Sequence, residues 1–273
     1  MTSLLLLLLA LAGTVAWTLR APVLQAWRRW RIRSRPFPAE WRAILRQQVP
    51  YVRTLPADLQ LQLKKHMQLF LAEKPIIGCR GLQVSDEMRL SIAAQACLLL
   101  LNRRSSGFED LSQILVYPGP FVVQRTQTDS AGLVHEGQDV RSGESWSQGQ
   151  VVLSWDDVQR GAAAPGDGHN VVIHEMAHQL DAEDGSMNGT PRLRGRARRQ
   201  RWAAVMEAAF GDLQQRVARE EPGLIDAYGA SNRAEFFAVV SELFFERPQA
   251  LSDEHPALFA ELRGYYQLNP LSW

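Results

Sequence analysis

Within residues 170–181 a run of aliphatic side chains is interrupted by His174, Glu175 and His178. Val171, Val172 and Ile173 precede them, and Met176, Ala177 and Leu180 complete an apolar face. A helix with this pattern belongs in a core, where imidazole and carboxylate groups are costly unless something satisfies them. Residues four apart lie one turn up on the same helix face, so both imidazoles reach one metal ion. Glu175 is rotated by ~100° from His174, beside such an ion rather than on it. The H-E-x-x-H spacing therefore suits two metal ligands and a general base acting on metal-bound water. Zinc is the natural ion for imidazole and carboxylate donors at an open tetrahedral site, and it lowers the pKa of bound water to ~7. The competing reading is a pair of hydrogen-bonded core histidines.

Catalytic zinc takes three protein ligands. The remaining histidines are His66, His135, His169 and His255, and Asp184 stands six residues beyond His178, so an extended three-histidine pattern is absent. A later helical stretch, Ser231 to Phe245, is stopped by Pro248 and carries Glu235 and Glu242 on one face, with Ala238 and Val239 between them. Two carboxylates on an otherwise apolar face are unusual unless paired. Glu235 also reads as part of a capping box with Asn232 at the N-cap, and Glu242 either as a solvated position or as a residue that supports the ligands from outside their set. Asp181 either orients an imidazole from outside the ligand set or simply closes the helix.

The chain has 273 residues, 46% of them apolar and 22% charged, enough for an ordinary globular core. Cys79 and Cys97 form no disulfide framework and read as buried thiols of a reducing compartment. The net charge of +1 conceals an asymmetry: residues 1–40 hold six Arg and one Glu, the remainder 24 basic and 28 acidic side chains. An acidic body argues against direct nucleic-acid binding.

Residues 1–19 contain no charge. As a helix they would span about 28 Å, close to the ~30 Å hydrocarbon core of a bilayer. Trp17, Trp27 and Trp30 suit an interface, and Arg28, Arg29, Arg31, Arg33 and Arg35 follow. The pattern predicts an N-terminal membrane anchor over 1–27, a basic linker over 28–40 and a catalytic domain over 41–273. The chain would then be single-pass in the inner (cytoplasmic) membrane with its catalytic domain facing the cytoplasm. A secretory signal or a short interfacial helix, with the body simply cytoplasmic, is the alternative.

Along the body, helices are predicted over 39–71, broken at Pro50 and Pro56, and over 85–103, with Ser85 as N-cap. Strands are predicted at 114–117, 121–123 and 149–155, a loop at 162–168, and helices from there to the end. That order gives an α+β fold, mainly helical with a small β-sheet, plus the N-terminal transmembrane helix. The strand Val151 to Trp155, just before the motif helix, is expected to offer its edge to an extended substrate. Arg192, Arg194, Arg196, Arg198, Arg199 and Arg201 read as a solvated helix face or as a patch for anionic lipid or an acidic partner.

The block Asp226 to Ala238, with Tyr228 seven residues before Glu235, resembles the catalytic region of gluzincins of the anthrax lethal factor class. Over about residues 40–270 the chain resembles the Mlc titration factor A family more closely. The match includes Tyr117 to Val123, Gly132 to His135, Ser142 to Trp146 and Val171 to Glu175. The resemblance implies a zincin-like metallopeptidase domain that hydrolyses peptide bonds, with cleavage from the amino end, as an aminopeptidase, one of two modes left open beside internal cleavage. Its partners would be peptide or protein substrates and a glucose-system transcriptional repressor. Carried over by position, it implies His174, His178 and Glu235 as ligands of Zn2+, Glu175 as the base and Tyr228 as the phenol that stabilises the oxyanion. The leucine-rich amino end and the 192–201 arginine run depart from the family pattern. An alternative is a regulatory protein that sequesters a transcription factor around a structural zinc. A zinc deformylase fits poorly, because neither Cys79 nor Cys97 has the surroundings of that enzyme's cysteine ligand.

Overall fold

Gln113–Tyr117 buries Ile114 and Val116 and turns its other three side chains partly outward, the period-two signature of a strand. In the computed structural model this strand is the second of six among the described residues: β1 (Ile76–Gly78), β2 (Gln113–Tyr117), β3 (Phe121–Thr128), β4 (Val134–Arg141), β5 (Gly143–Trp146) and β6 (Gln150–Ser154). The structure describes residues 20–103, 107–128, 134–141, 143–146, 149–163 and 166–273. Helices are α1 (20–34), α2 (Ala39–Gln48), α3 (Ala57–Glu73), α4 (Asp86–Leu98), α5 (Trp155–Ala163), α6 (Val171–Asp181), α7 (Arg196–Ala218), α8 (Arg233–Glu246), α9 (Pro248–Glu254) and α10 (Pro256–Tyr266).

The main sheet has the order β1-β2-β6-β5. β1, β2 and β6 are parallel, with Ile76 opposite Ile114 and Ile114 opposite Val151, while β5 runs antiparallel to β6. β3 and β4 form a separate antiparallel pair. Parallel neighbours need a crossover, and α4 supplies it between β1 and β2. This helix is buried from Leu90 to Leu98 and packs on α2, α3, α5 and α6. Ser85 caps it by accepting from the Met88 amide. Around it, Leu63, Met67, Ile92, Val172, Met176, Phe237 and Tyr266 join one continuous core.

Three expectations need correction. Among the described residues no helix is long and apolar enough to cross a membrane, so the transmembrane helix drops out of the fold class. Helix α1, where the described chain begins, carries Arg20, Arg28, Arg29, Arg31 and Arg33, too much charge for a hydrocarbon layer. It is tied to the body instead: Arg29 forks onto Glu73 at 2.8 and 2.9 Å. The leucine run 1–19 lies outside the described residues. Second, helices and strands are not segregated as an α+β order implies, because β1 precedes α4 and joins the sheet by a crossover. Three residues are too few to show a hydrophobic period, so β1 was invisible in the sequence. Third, β6 is no edge strand. β2 and β5 occupy both its sides, and β5 is the terminal strand among the described residues.

Candidate metal centre

Helix α6 begins at Asn170, whose side chain accepts a hydrogen bond from the Ile173 amide at 3.1 Å. This N-cap orients the first turn and turns Val172, Ile173, Met176 and Ala177 into the core. Helix α8 begins in the same way: Asn232 accepts from the Glu235 amide at 3.0 Å. The capping box closes on one side only. The Glu235 carboxylate does not turn back to the cap but faces α6.

There it meets both motif histidines. Oε2 of Glu235 lies 3.0 Å from Nε2 of His174 and 3.3 Å from Nε2 of His178, and the two Nε2 atoms are 3.2 Å apart. A tetrahedral ion with bonds of ~2.0–2.1 Å has donor atoms ~3.3 Å apart, so the triangle fits zinc without rearrangement. Two imidazole nitrogens facing each other across 3.2 Å cannot both carry protons, so they share one proton or a cation. These three residues are the group of metal-binding geometry found among the described residues.

The same contacts govern the proton on His174, which a metal ion would displace on binding. Burial disfavours charge on His174, but the carboxylates of Glu235 and Glu242 against its two ring nitrogens outweigh it and hold its pKa well above the usual value. Burial likewise pulls the Glu235 carboxyl upward, and hydrogen bonds from His174 and His178 overcome this, keeping it far below the ordinary carboxylate range.

Glu242 lies one face-repeat further along α8. Its Oε1 accepts from Nδ1 of His174 at 2.8 Å, and its Oε2 accepts from the Asn170 amide. It is buried, not solvated. Glu246 completes the clasp by accepting from Nδ2 of Asn170 at 2.9 Å and from the Gly166 amide at 2.7 Å. Asn170 and Glu246 were missed in the sequence. The signal for Asn170 was available, since an Asn directly before an apolar helical run reads as a cap. Glu246 carried none, because its role depends on where α6 docks.

Glu175 points from the same helix and is 3% exposed. Tyr228 sits on a 3-10 turn, Ala227–Ala230, started by Asp226, which accepts from the Tyr228 amide at 2.7 Å. Its ring lies 6.0 Å from that of His174, centroid to centroid, and it is 45% exposed. Asp181 makes no hydrogen bond to an imidazole. Its Oδ2 accepts from the Gly189 amide at 2.7 Å, and burial pushes its pKa up to about 6. Gly189 has φ +76°, its carbonyl accepts from the Trp202 indole at 3.2 Å, and a Cβ there would lie 2.3 Å from the Arg233 carbonyl oxygen. The arginine run opens α7: Arg198 donates to the Gly264 carbonyl, Arg199 to that of Leu193, and Arg201 pairs with Glu261.

Residues 24–267 match the model of a family described as glucose-regulated metallo-peptidase M90. An uncharacterised protein of Synechocystis sp. (strain PCC 6803) is 41% identical over 267 residues, 97% of each chain. Mlc titration factor A of Serratia proteamaculans is 36% identical, with 86% of this chain and 88% of the relative covered. Mlc titration factor A of Enterobacter sp. (strain 638) is 34% identical, with 82% and 84% covered.

Proposed function

The chain belongs to the glucose-regulated metallo-peptidase M90 family, and on that premise we propose that it is a zinc-dependent peptidase whose ion is held by His174, His178 and Glu235. The observation that carries this reading is the triangle of donor atoms, 3.0–3.3 Å on each side, contributed by two capped helices. A zinc ion held by these three residues would supply Lewis acidity to a scissile carbonyl and to an attacking water. Glu175 takes the proton of that water and delivers it to the leaving amine. Its burial keeps the carboxylate close to the reacting atoms and away from bulk water. Tyr228, exposed on its turn at the rim, donates its phenolic hydrogen to the oxyanion of the tetrahedral intermediate. Glu242 holds His174 so that Nε2 faces the ion. An extended peptide docks along the open edge of β5, the strand that lies beside α6.

The test is metal analysis of the purified protein together with turnover of a peptide library, for wild type and Glu175→Gln. One zinc per chain in both proteins and turnover in wild type alone are expected. Comparable turnover in the variant removes the assignment. Cuts confined to the first peptide bond identify an aminopeptidase, and internal cuts an endopeptidase.

The name of the relatives, Mlc titration factor A, supports a second role in which the chain binds a glucose-system transcriptional repressor. Chelation separates the two: peptidase activity disappears while repressor binding persists. If repressor binding is lost as well, the metal supports the interface.

A further inference from the structure

We infer that the cleft between α1 and α3 binds the phosphate group of an anionic ligand, at a site separate from the metal centre. The cleft has a volume of about 570 Å³. Arg29, Arg33, Lys65, His66 and Arg103 line it together with Gln62, and no Asp or Glu does. The surrounding segment explains the bias: residues 20–66 hold eleven Arg and Lys against Glu40 and Asp58.

The five basic groups differ in their commitments. Arg29 is neutralised by its fork onto Glu73. Arg103 pairs with Glu183 at 3.4 Å and lies over the Tyr265 ring at 4.7 Å. These two are fixed in place by their partners. Arg33 and Lys65 have no ion pair among the described residues, and Arg33 is half-buried. A guanidinium removed from water without a counterion is unfavourable, and a bound anion relieves that cost. His66 responds to the same field: burial, and then the charge of Arg33, lower its pKa to about 4, so it stays neutral beside the two cations.

The count of uncompensated charges selects the ligand. Arg33 and Lys65 together offer about two positive charges, matching the −1.5 to −2 of a phosphate monoester near pH 7 better than the single charge of a carboxylate. The planar fork of Arg33 fits two phosphate oxygens, and Lys65 and the Gln62 amide supply donors for the rest. A soluble phosphate monoester and the headgroup of phosphatidic acid, itself a monoester, share this chemistry.

The proposal does not depend on the peptidase assignment. The full chain is titrated calorimetrically with inorganic phosphate, and separately sedimented with vesicles of phosphatidylcholine alone or of phosphatidylcholine with phosphatidic acid. Saturable phosphate binding that weakens at least tenfold in Arg33→Ala/Lys65→Ala supports a soluble ligand. Sedimentation only with vesicles that carry phosphatidic acid, lost in the same variant, supports the headgroup. Arg42→Ala/Arg46→Ala, in the separate groove lined by Arg42, Arg46, Arg53 and Lys64, serves as control and keeps affinity within about threefold. Circular dichroism melts establish that both double variants are folded. Absence of binding to phosphate and to both vesicle types overturns the proposal. So does binding that survives in the 33/65 variant, or that is lost only in the control.

Discussion

Glu242 and His174 face each other across the α6–α8 contact, with the carboxylate 2.8 Å from Nδ1 of the imidazole. The other oxygen of the same carboxylate takes the amide of Asn170, so one side chain fixes both the N-cap of α6 and the first imidazole proposed as a ligand. Glu242→Ala leaves a buried N–H on each of them without its acceptor. Zinc affinity should fall by about 10–100-fold, measured by competition with a chelating dye. Glu242→Gln keeps one acceptor and should fall between. Unchanged zinc affinity in Glu242→Ala would show that His174 is positioned by something else.

Tyr228 is close to half exposed, so Tyr228→Phe should fold normally. Loss of the phenolic hydrogen should lower kcat by about 10²-fold with KM little changed, because the bond forms only as the oxyanion develops. A change in KM alone would make Tyr228 a substrate contact instead.

Removal of the metal with a chelator should abolish turnover and leave the far-ultraviolet circular dichroism spectrum intact. The ligands stand on capped helices whose apolar faces are in the core, so the fold does not wait for the ion. The Tm should still drop by several degrees, since an ion bound only to the native state stabilises it, and should recover with added zinc.

His66 gives a signature in acid. Burial, aided by Arg33, lowers its native pKa to about 4, below the ~6.5 of an unfolded histidine. The unfolded chain therefore takes up a proton first. This contribution to stability is complete above pH 6.5 and is lost as pH falls from 6.5 towards 4. His66→Gln should narrow the gap between unfolding free energies at pH 7 and pH 4 by on the order of 2 kcal/mol. Parallel pH profiles of the two proteins would contradict the burial of this imidazole.

Gly189→Ala should destabilise by about 2 kcal/mol or more, lowering Tm by about 5 °C, because a Cβ at φ +76° would strike the Arg233 carbonyl. Equal melting temperatures would mean that the segment relaxes at no cost.

The parts of the site that obey helix periodicity were legible in the sequence. His174, Glu175 and His178 announce themselves because polar groups at that spacing have no business on an apolar helix. Glu235 and Glu242 were visible as a pair on one face, but which ring nitrogen each of them meets depends on the docking of α8 on α6, and no local pattern encodes that. The strands β2 and β6 could be read from their branched side chains. Their partners could not, since pairing is a long-range choice, and the edge expected on β6 proved to belong to β5. At the amino end, hydropathy over a window dominated by 1–19 carried the membrane reading past Arg20 into a helix that Arg29 ties to the body through Glu73.

Gly189 is held from three directions: Asp181 grips its amide, Trp202 its carbonyl, and the Arg233 backbone presses against its α-carbon. The stretch between α6 and α7 is thus nailed down near its middle. Movement in this stretch is therefore confined to the short arms on either side of that nail, a few residues each.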